Sequence, residues 1–197
     1  MTAITDVLSG RANPPYLRPP AEQGDAERDE RYTRLEDFRP WYNEIRHTLD
    51  AAGCSEAPVS AEIGRWCGRG GIAPDGLAFD WDNERVWCNG PFSNIRPWIE
   101  KAWASRAVVD MLWPANRTEQ PWWQDLIEPY RDRPDGVLRV RFLAQRQRFG
   151  NPSDPTALNV GSPEFGCVRL TWFIAERPPH ACPPAPQQIG LFERTAQ

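Results

Sequence analysis

Arg85-Val86-Trp87-Cys88-Asn89-Gly90-Pro91-Phe92 is the stretch on which the reading of this chain turns. Its first half is a short apolar run, and Asn89-Gly90-Pro91 closes that run with strong turn formers. Directly beyond, Ile95, Trp98, Ile99, Ala102 and Trp103 recur at helical spacing, with Pro97 in a first turn where its missing N–H costs little. The next apolar run, Ala107-Val108-Val109-Asp110-Met111-Leu112-Trp113, is stopped by Pro114 and reads as a buried strand. Strand, turn, helix and strand in this order make one unit of a parallel sheet.

The pattern continues in both directions. Upstream, a helix is expected over 38–47, with Trp41 and Ile45 four apart, and a short strand from Thr48 ends in a turn at Gly53. Downstream, Trp122, Leu126 and Tyr130 repeat every four residues on another helix. Leu138, Val140 and Phe142 alternate with Arg139 and Arg141, and Val168, Leu170, Trp172 and Ile174 alternate through a last strand. Two final strands without a long helix between them predict an α/β fold, its sheet mainly parallel with one antiparallel strand. Residues 1–37, rich in proline and charge, read as an arm; 38–176 read as the domain and 177–197 as a Pro-rich tail. The domain is of ordinary size.

Composition narrows the partners. A net charge of -4 gives no global attraction for nucleic acid, so any such contact must come from local patches. Lys101 is the lone lysine, and arginine supplies the remaining positive charge. That suits bidentate contacts to phosphate or base edges, and is equally what a GC-rich genome encodes. Cys54, Cys67, Cys88, Cys167 and Cys182 form no C-x-x-C pair, and the only histidines are His47 and His180. No metal is therefore expected, and the cysteines read as reduced, buried thiols of a cytoplasmic protein. No run approaches a membrane span or a signal peptide.

In open parallel sheets, ligands sit beyond the C-terminal ends of the strands. Two loops fall there: Asp50-Ala51-Ala52-Gly53 and Asn89-Gly90-Pro91-Phe92. The second carries two hydrogen-bond acceptors, the Asn89 side-chain oxygen and the Gly90 carbonyl, followed within two residues by an aromatic face. An exocyclic amine of a nucleobase is a poor nucleophile because its lone pair is delocalised into the ring. Two acceptors aimed at its two hydrogens localise that lone pair, and an aromatic can stack on a base swung out of the duplex. The bland alternative is an ordinary Asn-Gly-Pro turn.

Six motifs in order give the loop a context. They are Leu49-Asp50-Ala51-Ala52, Asp75-Gly76-Leu77-Ala78-Phe79-Asp80-Trp81, Val86 to Phe92, Val108 to Ala115 with Arg117-Thr118, Trp122-Trp123, and Arg146 with Phe149-Gly150. This series resembles the phage-type DNA N6-adenine methyltransferases, relatives of the Dam enzymes, over 48–173. The resemblance implies a Rossmann-like methyltransferase fold with S-adenosylmethionine as methyl donor and double-stranded DNA as substrate. It implies Asn89, Gly90, Pro91 and Phe92 as the catalytic loop. It implies Asp50, Ala52 and Gly53 beside the donor's amino-acid portion, and Asp75 and Asp80 near its adenosine. Asp50 as a helix cap and Asp80 as a turn residue stay open beside those roles.

The loop departs from the family at two points: Gly90 replaces the usual first proline, and Phe92 replaces tyrosine. Gly90 keeps the carbonyl and gives up rigidity, which leaves open cytosine N4 as target, or a non-catalytic descendant that binds DNA or protein. Arg117, Trp122, Arg146 and Arg148 are the candidate DNA contacts. So small a domain has no room for a large recognition module; a short target, relaxed specificity or a homodimer would follow. Asn13-Pro14-Pro15-Tyr16 matches the family loop letter for letter, yet no convincing strand precedes it, and we read it as a chance match.

Overall fold

The computed structural model describes residues 30–131, 133–152, 155 and 166–173. Asn13-Pro14-Pro15-Tyr16, Ile174, His180, Cys182 and the tail 177–197 lie outside them. The elements are β1 (Tyr32–Thr33), α1 (Leu35–Ile45), β2 (Leu49–Asp50), α2 (Pro58–Ile63), β3 (Arg85–Cys88), α3 (Arg96–Ala104), β4 (Val108–Pro114) and α4 (Pro121–Leu126). A single 3-10 turn (Glu128–Tyr130) precedes β5 (Leu138–Phe142), β6 (Phe149–Gly150) and β7 (Cys167–Phe173).

The main sheet has the order β2-β3-β4-β7-β5. The β2–β3 and β3–β4 pairs are parallel, while β7 is antiparallel to both β4 and β5. β5 therefore points the same way as β2, β3 and β4, and one strand, β7, runs against the other four. This is an α/β protein with a mixed five-stranded sheet. The chain's last described strand sits inside the sheet, which explains why β7 is buried on both faces.

The core strands follow from composition. Val86, Trp87 and Cys88 of β3, and Val109 to Pro114 of β4, are buried, because both faces of the sheet are covered. α3 buries Trp98, Ile99, Ala102 and Trp103, and Pro97 stands in its first turn. Trp41 of α1 stacks on Trp87 at 5.5 Å between ring centroids.

The structure adjusts two expectations and adds one element. Elements begin at Tyr32, ahead of the expected domain start at 38: β1 pairs with β6, and α1 opens at Leu35. The charges around Tyr32 and Leu35 masked an entry segment that packs on the domain. The helix over Trp122, Leu126 and Tyr130 breaks after Leu126, and Tyr130 falls in the 3-10 turn containing Pro129. The short helix α2, six residues with Pro at its start, carried no readable period.

A buried polar cluster lies between α1 and the sheet. Asp110 on β4 is fully buried and accepts Arg169 Nε at 2.8 and 3.0 Å. The Thr171 hydroxyl donates to it at 3.0 Å, and His47 Nε2 lies 3.1 Å from its second oxygen. Arg169 continues to Glu44 of α1 at 2.7 Å, and Arg139 of β5 reaches the same carboxylate at 2.8 Å. The Arg169 guanidinium holds Glu44 below its usual carboxylate range. His47 Nδ1 and Arg169 Nη2 have no partner among the described residues.

Candidate functional site

Parallel strands put their C-terminal ends on one edge of the sheet, and three loops leave that edge here. The turn after β2 starts beside Trp87, the loop after β3 starts beside Met111, and β4 ends opposite the start of β7. A cavity of about 360 Å³ opens there, within the range of small-molecule pockets. Residues 52–54 of the first turn, 89–91 of the second, Arg69, and the entry segment 30–32 line it. The two loops singled out in the sequence thus face one space.

Asn89 is held so that its oxygen is the free end. Its Nδ2 donates to the Arg31 carbonyl, while its Oδ1 is buried without a partner among the described residues. A buried, unmet acceptor costs free energy, on the order of 1–3 kcal/mol. Asn94 N–H donates to the Pro91 carbonyl at 3.2 Å. Arg117 closes the far end of the loop, donating to the Phe92 carbonyl at 2.6 Å.

Phe92 does not present an open ring. It is buried, at 4 % exposure, with Trp113 and Phe149 centroids 6.0 and 5.9 Å away and the Arg31 guanidinium 5.6 Å over its face. The expectation of a bare stacking face is corrected: the entry segment, unread as structure in the sequence, covers it.

Asp50 does not line the cavity either. It is buried behind the turn, accepting Ala52 N–H at 3.2 Å and the Ser60 hydroxyl at 2.7 Å. It caps no helix. Burial raises its carboxyl to about 6, partly offset by those two donors. Its role is to shape the turn from which Ala52 and Gly53 reach the cavity.

The 75–81 motif packs against the same turn from outside. A Cβ on Gly76 would lie 1.8 Å from the Ala51 carbonyl oxygen, so only glycine fits that approach. Trp81 Nε1 donates to the Gly76 carbonyl at 2.9 Å. Asp75 and Asp80 are exposed, and each bonds a backbone N–H two residues on, Leu77 and Asp82. Both are Asx-type turn residues, and neither lines the cavity.

Of the candidate DNA contacts, Arg117 meets the loop after β3 as described. Trp122 is buried, donating to Gln120 at 2.9 Å, and belongs to the core rather than the surface. Arg146 and Arg148 are exposed on the segment leading into Phe149, next to Phe92. Sequence reasoning missed the entry segment. Tyr32 donates to Glu30 at 2.9 Å and accepts the Cys54 thiol at 3.3 Å. Burial and those two neighbours push its phenol well up. Alternation of apolar Tyr32 with its neighbours is too short to signal a two-residue strand.

Cys54, Cys67, Cys88 and Cys167 are free and buried, and burial pushes Cys67 to about 11 and Cys167 to about 12. They are packing residues. No helix among the described residues is long and apolar enough to cross a membrane. Comparisons with family models, with curated protein sequences and with solved structures find no match to this chain.

Proposed function

We propose that this protein is a DNA amino-methyltransferase that uses S-adenosylmethionine, acting on N6 of an adenine flipped out of double-stranded DNA. The observation that carries the reading is Asn89: an amide locked at its nitrogen, its oxygen buried and unmet, in a cavity shared with the turn after β2. Such an acceptor is costly unless something occupies it. A single reversed strand inside an otherwise parallel sheet, with the loops at its C-terminal edge, supports the methyltransferase form of the fold.

The residues fit the methyl donor at one end and not at the other. Ala52 and Gly53 would hold its amino-acid portion, whereas Asp75 and Asp80 point into solvent as turn residues and hold no adenosine in this arrangement. When bound, the donor would supply an electrophilic methyl group and leave as a neutral thioether once its carbon–sulfur bond breaks, and the proton shed by the methylated amine would pass to solvent, so no general base need drive the attack. Asn89 Oδ1 and the Gly90 carbonyl accept the two amine hydrogens and turn the lone pair out of the base plane. Preorganised acceptors carry most of the effect. A base reaches the Phe92 face when the Arg31 side chain swings aside.

The test is methyl transfer from labelled S-adenosylmethionine to unmodified duplex DNA, read by nucleoside mass spectrometry. N6-methyladenine is the expected product; N4-methylcytosine would move the target while keeping the chemistry. The covered face of Phe92 favours one second reading, a non-catalytic descendant that binds DNA or protein. Absence of both cofactor binding and product would decide for it.

A further inference from the structure

Gly90 stands where the resembled family carries proline, and the packing around it explains why. A Cβ built on Gly90 would lie 3.1 and 3.3 Å from Trp98 Cε2 and Cδ2 and 3.2 Å from Trp113 Cη2. Those distances are tighter than ordinary carbon contacts, so one neighbour would have to give. Neither can give cheaply. Trp98, at 6 % exposure, is stacked on Trp81 with centroids 6.3 Å apart. Trp113 is fully buried at the end of β4, its Nε1–H on Met111 sulfur at 3.3 Å. One indole comes from α3, after the loop, and the other from β4; both close on the side of the glycine where a Cβ would stand.

We propose that Trp98 and Trp113 are positioning residues that together clamp the Cβ side of Gly90, supplying by packing the rigidity a proline ring would supply by covalent geometry. The Gly90 carbonyl is one of the two acceptors invoked above, so the clamp's part in transfer rests on the proposed function. The clamp itself does not. Glycine loses rigidity only when its surroundings leave it room, and here two large side chains remove that room. Gly90 is therefore a matched partner of the tryptophans rather than a decayed proline.

A double-mutant cycle tests this on the full chain with duplex DNA and S-adenosylmethionine. Gly90→Ala forces the loop against the indoles, and Trp98→Phe shortens the ring that faces it. Each is expected to lower kcat about ten- to a hundredfold, as displacement of a reacting geometry does, with the cofactor Kd unchanged. The pair together should recover most of that loss, because the added methyl refills the space the smaller ring leaves. Losses that simply multiply would overturn the clamp. Hydrogen exchange of the Gly90 amide, followed in protein labelled with nitrogen-15 glycine, reads the loop without any activity. Exchange roughly tenfold faster in Trp98→Phe and slowed again in the pair supports the clamp even if the wild type transfers no methyl, in which case only the proposed function fails. Unchanged exchange in Trp98→Phe overturns the clamp whether or not the enzyme is active.

Discussion

Asp110 and Asn89 both present buried side-chain oxygens in this sheet, one within β4 and the other just past the end of β3, and they are treated in opposite ways. Both oxygens of Asp110 are met, by Arg169, Thr171 and His47. The oxygen of Asn89 meets nothing among the described residues, although its nitrogen is tied down. A satisfied buried charge fixes structure; an unsatisfied acceptor at a strand end is what the proposed function puts to use. The difference follows from location. Asp110 faces α1 across the middle of the sheet, where Thr171 sits directly opposite on the neighbouring strand and Arg169 two residues along it, while Asn89 lies at the edge where loops diverge.

The largest expected effect would come from breaking the satisfied side of this comparison. Asp110→Ala strips the Arg169 Nε of its buried carboxylate and leaves Glu44 alone to meet the guanidinium, and chemical denaturation should show a loss of about 3 kcal/mol. Methyl transfer per folded molecule should survive at low denaturant; its selective loss would mean that the cluster serves the site.

Asn89→Ala attacks the other side. The substitution loses the Nδ2 bond to the Arg31 carbonyl but also removes the unmet Oδ1, so stability should change by no more than about 1 kcal/mol. Methyl transfer should fall by roughly 10²–10³-fold, the scale on which loss of one preorganised polar group slows catalysis, with cofactor affinity retained. A protein that loses stability and cofactor binding together would make Asn89 a structural residue like Asp110.

Asp50 sharpens the comparison, being buried with two donors yet raised to about 6. Its folded value lies above its unfolded one, so between about pH 4 and about pH 6 the folded state binds more protons and stability falls as pH rises. Above that window a constant penalty, on the order of 2–3 kcal/mol, remains. Asp50→Asn should flatten this stretch of the stability–pH curve, which denaturation at pH 4, 5, 6 and 7 would reveal. A curve unchanged by the substitution would show that the Ser60 and Ala52 bonds already offset the burial.

The regular elements were legible because their periods were local. β3 and α3 were readable from Val86 to Trp103, and the reversed strand from the alternation ending at Trp172, since every other side chain there had to be apolar. Arg169 and Thr171 occupy the intervening positions and look like an exposed polar face in the sequence. They are buried because β5 closes over β7's far edge and α1 covers the face. No local pattern carries that information, and the matching acid, Asp110, lies 59 residues from Arg169 along the chain. The carboxylates of the presumed donor site misled for a similar reason: Asp75 and Asp80 are common turn formers, and their side chains are used by the turns themselves.

By itself the sequence determined that a strand ends at Cys88, that a turn with two acceptors follows it, and that a tryptophan-rich helix comes next, since these depend on residues within one or two turns of each other. Only the tertiary structure decided which acceptor is left open. It also decided that the entry segment covers Phe92, and that Gly90 is hemmed in by indoles from two different elements. Hydrogen-bond satisfaction and steric fit are set by neighbours in space, and the chain brings those neighbours together only when the sheet has formed.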